Sequence, residues 1–309
     1  MSNENWMGQL SESARNLSII NIAIPGSHNS MTYGINSKSK PAPDADASTR
    51  RLNYIFPCFV RRWAITQSAD VVQQLKLGIR FFDLRICQNE ENFYYCHGLY
   101  SMAIMEPLLE IISFLESRPK EFVILDFQHF YAMQPEHHVR LHNYLKQIFG
   151  QKLYTRSDGP LSKCTLNYCH PRGKQVLIIY RRCSVSLPQD FWPNLSWPTP
   201  WPNVCSAKKL EEYLNTALLS RQPMNGYVSQ CIFTPTARYI TLRFLSSLRN
   251  SAKKVDKKLS PWIKSQQPGP FDYKDKPTVN VFLGDFVNLK DGQFCQWVID
   301  LNSCLECDT

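Results

Sequence analysis

The chain holds 309 residues, with 35 Lys or Arg against 26 Asp or Glu for a formal charge of +9; 43% of positions are hydrophobic and 20% charged. With 17 Phe, 14 Tyr and 7 Trp it carries enough apolar surface to offset its conformational entropy, which excludes a disordered or low-complexity chain. The length admits two average domains or one large α/β barrel.

Met1 to Trp6 contains no basic stretch followed by an apolar run, so no secretory signal is expected. No segment approaches the ~18 apolar residues of a membrane-spanning helix. The expected location is therefore cytoplasmic, peripheral at membranes, with a nuclear pool allowed. An apolar run at 19–24 stops at Pro25-Gly26 and reads as the first strand. Residues 36–48, rich in Ser, Lys, Pro, Ala and Asp, read as a flexible excursion. Strands are then predicted at 79–86 after Gly78, at 93–96 before His97-Gly98, and at 122–127. Helical spacing predicts helices at 102–116 and 135–149. A strand at 176–180 precedes residues 192–203, which place three Trp and four Pro in twelve positions. That segment either packs over the barrel end or meets a membrane interface. A helix at 207–219, a strand at 227–233, one long helix at 235–268 and a strand at 279–283 complete the pattern. Alternating strands and helices imply a parallel sheet with covering helices.

Secondary signals receive structural readings. The eleven Cys, including Cys164 with Cys169 and Cys304 with Cys307, are expected to be free structural thiols. His129, His137, His138 and His142 are expected on the surface, since no acid completes a zinc motif. Lys253, Lys254, Lys257 and Lys258 read as a solvated helix face, or one attracted to an anionic surface. The positive charge comes with no nucleic-acid motif, and no nucleic-acid partner is expected.

The chemistry-bearing residues fall at predicted strand ends, where a parallel α/β barrel assembles its site. His28 and Asn29 follow the first strand, Asp83 and Arg85 close the second, and His97 follows the third. Gln128 follows the fourth, Arg181 the fifth and Asp285 the seventh. Asp83 and Arg85, two apart on a strand, are expected to share a face and hydrogen-bond. Two histidines beside an arginine suit phosphoryl chemistry: one takes a proton, one gives a proton, and the guanidinium neutralises developing charge.

These residues carry a resemblance. Ile24-Pro25-Gly26-Ser27-His28-Asn29-Ser30-Met31-Thr32, Leu77-Gly78-Ile79-Arg80-Phe81-Phe82-Asp83-Leu84-Arg85 and His97-Gly98, in that order, resemble the X domain of phosphatidylinositol-specific phospholipase C. More narrowly the chain resembles the eukaryotic proteins that carry this X domain alone. The resemblance implies a distorted, incomplete TIM-type (β/α) barrel, one catalytic unit over 1–309 with its core at about 6–289 and no accessory regulatory domain. It implies a phosphodiesterase that cleaves phosphatidylinositol lipids to diacylglycerol and a cyclic inositol phosphate. In that scheme His28 is the general base on the inositol 2-hydroxyl, His97 the general acid on the diacylglycerol oxygen, and Asp285 orients the base. Asn29 orients His97, Asp83 orients Arg85, and Arg181 and Gln128 contact the substrate. For Arg182 a bland role is expected.

Calcium-dependent eukaryotic relatives hold the ion with an Asn after the first His, two strand-two acids and a Glu after strand four. Here Arg85 and Gln128 stand at two of those positions, which implies catalysis without calcium or any other cofactor, with Arg85 as the electrophile. Asn29 departs from the Asp of the bacterial pattern and implies a weaker general acid. The implied partner is a phosphoinositide membrane lipid. Two alternatives stay open: a weak or inactive lipid-binding scaffold, and a metal-dependent glycerophosphodiesterase-like enzyme.

Overall fold

The computed structural model describes residues 3–181 and 184–306. Its sheet has eight strands: β1 Ile24–Ser27, β2 Phe81–Asn89, β3 Asn92–His97, β4 Leu99–Ala103, β5 Val123–Tyr131, β6 Val176–Tyr180, β7 Val228–Gln230 and β8 Val281–Gly284. Six of them run parallel in the spatial order β7, β8, β1, β2, β5, β6. β6 and β7 do not pair, so the barrel is open between them. β3 and β4 form an antiparallel ribbon that extends from β2. The predicted third strand is thus not a barrel stave, and His97 reaches the site from this ribbon.

Alternation along the strands divides their side chains between two apolar clusters, as period-two geometry requires. Phe81, Ile124, Leu177, Ile179, Val281 and Leu283 belong to one, while Phe82, Leu84, Leu125, Ile178 and Phe282 belong to the other. Asp83 and Asp126 lie in register on β2 and β5, each two residues beyond a member of the first cluster. Gly26 lies between Leu283 and Phe81, where a Cβ would come within 3.1 Å of both side chains. Close passage of the three central strands therefore needs glycine there.

The Trp/Pro segment fills the gap in the barrel. Tyr180 N and Trp192 N exchange hydrogen bonds with Trp192 O and Ile178 O, while Gly226 N and Val228 N donate to Ser196 O and Pro198 O. Trp192 and Trp197 are buried, and a Cβ on Gly226 would meet the Trp197 ring at 2.0 Å. Trp201 alone of the three remains substantially exposed.

Several expectations are corrected. The long helix at 235–268 is two helices, Ala237–Thr241 and Leu248–Lys264, because Thr236 and Ser247 each cap a new start with a side-chain oxygen. Residues 36–48 are pinned to the ribbon through Tyr100 N to Lys40 O and Ala42 N to Gly98 O, then enter helix Ala47–Ile55. This helix, Pro57–Ala64, Gln293–Asp300 and β4 went unpredicted, whereas helix Val71–Leu77 ends at Gly78 as expected. Packing also continues past residue 289: buried Asn302 exchanges two hydrogen bonds with the Ala23 backbone, at 2.8 and 2.9 Å.

His138 and His142 are buried rather than on the surface, since they lie on the inner face of helix Pro135–Phe149 against Tyr180. His138 Nδ1 is 2.8 Å from Tyr180 Oη. Cys164 and Cys169 are free, buried thiols 3.8 Å apart; Arg182 and Cys307 lie outside the described residues.

Candidate active site

The turn after β1 is held by its backbone. His28 N donates to Gly284 O at 2.9 Å, and His28 O accepts from Thr66 Oγ1 at 2.9 Å and Gln67 Nε2 at 3.0 Å. Gln67 Nε2 also donates to Gly284 O, and Gln67 Oε1 accepts from Val287 N. The strand ends that carry His28 and Asp285 are thereby tied together by one fully buried amide. Asn29 adopts a left-handed backbone, φ 41, which Asn tolerates better than most residues.

His28 Nδ1 lies 2.7 Å from Asp285 Oδ1, and its Nε2 lies 3.1 Å from Asn29 Nδ2. An amide nitrogen can only donate, so the assigned tautomer has Nδ1–H donating to Asp285 and Nε2 accepting. Burial lowers the His28 pKa to about 3, with Asp83 opposing and Arg85 adding to the shift. Burial likewise pushes Asp285 well above the usual carboxylate range, against the pull of Arg85. His97 Nδ1 lies 2.6 Å from Ala64 O, which fixes Nδ1–H as donor, and His97 lines a cavity with His28. Burial, then Arg85, lowers the His97 pKa to about 4. The two imidazoles stand 6.2 Å apart, edge to face, and Trp201 stacks obliquely on His28 at 5.6 Å.

His28, His97, Arg85, Asp285 and Trp201 line one cavity of about 200 Å³. A wider cleft of about 640 Å³ shares Trp63, Arg85 and His97 with it and opens between helices Ala47–Ile55, Pro57–Ala64 and Ala237–Thr241.

The remaining predicted residues are engaged differently from their expected roles. Asp83 does not pair with Arg85 among the described residues, although β2 is regular between them; the bulge lies opposite, at Gln128 of β5. Asp83 Oδ2 instead accepts from Asn29 N at 3.1 Å and lies 3.8 Å from His28 Nε2. Arg85 Nε is buried without a hydrogen-bond partner among the described residues. Asn29 contacts His28 rather than His97. Arg181 forms a two-point ion pair with Asp126, both bonds at 2.7 Å, and donates to Trp197 O at 2.8 Å. Gln128 Nε2 also donates to Asp126, at 3.0 Å. Burial raises Asp126 to about 6 despite Arg181. Arg181 and Gln128 line neither cavity.

Asp126, Ala64, Thr66, Gln67 and Trp201 were missed. Asp126 carried a signal, a charge within the apolar run at 122–127, and Trp201 lay in the Trp/Pro segment already singled out; the others act through backbone or uncharged groups.

Few oxygen donors of the site stand open to a calcium ion among the described residues. Asn29 Oδ1 and Asp83 Oδ1 are buried without partners, but calcium takes about six oxygens. Gln128 is turned to Asp126, Arg85 lines the site, and among the described residues no three His, Cys, Asp or Glu side chains form a metal-binding group.

An open parallel barrel of this form is shared with the bacterial phosphatidylinositol-specific phospholipases C. The Listeria monocytogenes enzyme matches with TM-score 0.68 and 19% identity over 97% of this chain and 99% of its own. A Staphylococcus aureus phosphatidylinositol-specific phospholipase C matches with TM-score 0.66 and 19% identity, over 97% and 98%. The family model "Phosphatidylinositol-specific phospholipase C, X domain" matches residues 60–181. Mouse PI-PLC X domain-containing protein 2 is 36% identical over 98% of this chain and 89% of its own length. Human PI-PLC X domain-containing protein 3 is 33% identical over 96% and 92%. The chain belongs to the family of PI-PLC X domain-containing proteins.

Proposed function

We propose that this protein cleaves phosphatidylinositol by intramolecular phosphoryl transfer, with two histidines and one arginine and without calcium. The carrying observation is that His28, braced through Nδ1 on Asp285, shares one cavity with His97 and Arg85. His28 Nε2 takes the proton of the inositol 2-hydroxyl as its oxygen forms a bond to phosphorus. The bond from phosphorus to the diacylglycerol oxygen breaks, and His97 Nε2–H protonates that oxygen. Arg85 offsets the charge that builds on the phosphoryl oxygens. Asn29 Nδ2 occupies the His28 lone pair in the free protein, so the substrate hydroxyl displaces it. Arg181 enters this reading as the counter-charge of Asp126, with Gln128 beside it.

The first water-soluble product tests the reaction type. Phosphorus NMR is expected to show inositol 1,2-cyclic phosphate before any monoester; a monoester appearing first would point to direct attack by water.

The acid role fixes a pH dependence. Above a pKa of about 4 the protonated fraction of His97 falls tenfold per pH unit. The value of kcat/KM for the lipid is expected to decline as pH rises toward and past neutrality. A plateau across that range contradicts His97 as donor.

A membrane is the natural location for the cleft. Tyr54, Ile55 and Phe56 at the turn joining the two helices, and Leu242, Phe244 and Leu245 across the cleft, are exposed apolar side chains, Tyr54 by 92%. Arg50, Arg51, Arg61, Arg62 and Arg243 lie among them in sequence. Apolar insertion next to basic residues suits an anionic bilayer. No helix among the described residues is long and apolar enough to cross a membrane. The triple substitution Tyr54→Ser, Phe56→Ser and Phe244→Ser is expected to reduce binding to phosphatidylinositol vesicles at least tenfold while sparing a soluble substrate, which corresponds to about 1.4 kcal/mol. Unchanged sedimentation with vesicles contradicts this orientation.

A further inference from the structure

His97 is the weakest part of the proposed machinery. Its imidazole faces Arg85 on β2 and His28 in the turn after β1, both of which oppose its protonation. Its hydrogen-bonded neighbour, Ala64 O, carries no charge. Asn29, where the bacterial pattern has an acid, is turned to His28. A proton donor in this setting needs a nearby anion.

The segment before helix Ala47–Ile55 provides one. Asp44 lines the wider cleft together with His97 and Arg85. Its Oδ2 accepts from Gly98 N at 2.7 Å, the residue next to His97, where the chain turns through a left-handed φ of 66. Ala42 N donates to Gly98 O at 3.1 Å, so the loop and the β3–β4 turn are bonded on both sides of Gly98. Asp44 Oδ1 is buried and makes no hydrogen bond among the described residues. A buried carboxylate oxygen without a partner is costly, so its retention beside a cationic site calls for a counter-charge. Asp46, whose Oδ1 accepts from Thr49 N, and Tyr131 on β5 are the remaining titratable side chains among the described residues that line this cleft with them, and Asp44 raises the pKa of both Tyr131 and His97.

We propose that Asp44 is a positioning residue for the general acid: it holds the β3–β4 turn that aims His97 and supplies the carboxylate that stabilises the imidazolium. The inference rests on the reading of His97 as proton donor. It places the anion that the bacterial pattern puts next to the first histidine on a different loop, at the acid side of the site.

Asp44→Asn separates the two functions of the side chain, because its amide oxygen still accepts from Gly98 N while the charge is gone. With phosphatidylinositol, kcat is expected to fall about tenfold to a hundredfold, below the full worth of general acid catalysis. With a nitrophenyl ester of inositol phosphate, whose leaving group needs no proton, the rate is expected to stay within about twofold of wild type. The declining limb of the pH profile is expected to move to lower pH. Equal losses on both substrates, or an unchanged pH profile, overturn the proposal. NMR titration of His97 in the free full-length chain decides the matter independently of turnover. Asp44→Asn is expected to lower its midpoint by about half a unit to one unit, as loss of a nearby opposite charge does; an unmoved midpoint overturns the assignment. Wild-type protein that cleaves neither substrate would sink the proposed function, and the titration would still test Asp44.

Discussion

His28→Ala is expected to lower phosphatidylinositol cleavage by about 10² to 10⁴-fold, the usual worth of a positioned general base. The structure separates this loss from damage to the fold. The turn is held through the His28 main chain, by Gly284 O, Thr66 Oγ1 and Gln67 Nε2, none of which touches the imidazole. Truncation leaves Asp285 without its partner, but burial already favours the neutral acid there, and a neutral carboxyl tolerates the site better than a bare carboxylate. The thermal midpoint is therefore expected to fall by only about 2–8 °C, corresponding to roughly 1–2 kcal/mol in a domain of this size. His28→Ala that turns over lipid at the wild-type rate, with circular dichroism confirming the fold, removes the imidazole from the mechanism. A large drop in midpoint with proportionate loss of folded protein would make it structural.

Arg85→Asp carries the second large effect, because it inverts the charge at the centre of the cavity. The guanidinium lines both the inner cavity and the wider cleft, and has Nε buried without a hydrogen-bond partner among the described residues. An unpaired donor aimed into a polar site is poised for an anion that arrives with substrate. Removing one such stabilising donor typically costs about 10² to 10³ in kcat, and a carboxylate in its place repels the phosphate as well. The expected loss lies at or beyond the upper end of that range. Calcium is expected to restore little: the variant would present Asn29 Oδ1, Asp83 Oδ1 and one new carboxylate, against the roughly six oxygens the ion prefers. Full activity in EDTA would contradict the role of Arg85, and full restoration by calcium would show a metal site the present side chains do not offer.

Much of this site was legible because chemistry collects at strand ends. His28, Arg85, His97 and Asp285 were recognisable from position and residue type, and all four line one cavity. Pairing was less legible. Period-two alternation places Asp83, Asp126 and Arg85 toward one face, but it does not say which acid takes which cation. The bond from Asn29 N to Asp83 and the reach of Arg181 to Asp126 decide that. Thr66 and Gln67 carry no charge and follow a short helix, so nothing in their types advertised that they tie β1 to β8. His138 and His142 misled in the opposite direction: a polar label hid two rings packed against Tyr180. Composition misled at 36–48 as well, where Pro, Ser and Lys suggested an excursion yet main-chain bonds attach the loop to the β3–β4 turn. The break at 242–247 was missed because the apolar spacing of two successive helices happened to run on through it.

The most direct measurement is release of water-soluble inositol phosphate from phosphatidylinositol vesicles, in excess EDTA and in added calcium, with wild type beside His28→Ala. The expected result is release by wild type that is equal in both conditions and absent in the variant. Release that requires calcium would contradict the assignment of Arg85, and no release from folded wild-type protein in either condition would contradict the phospholipase itself.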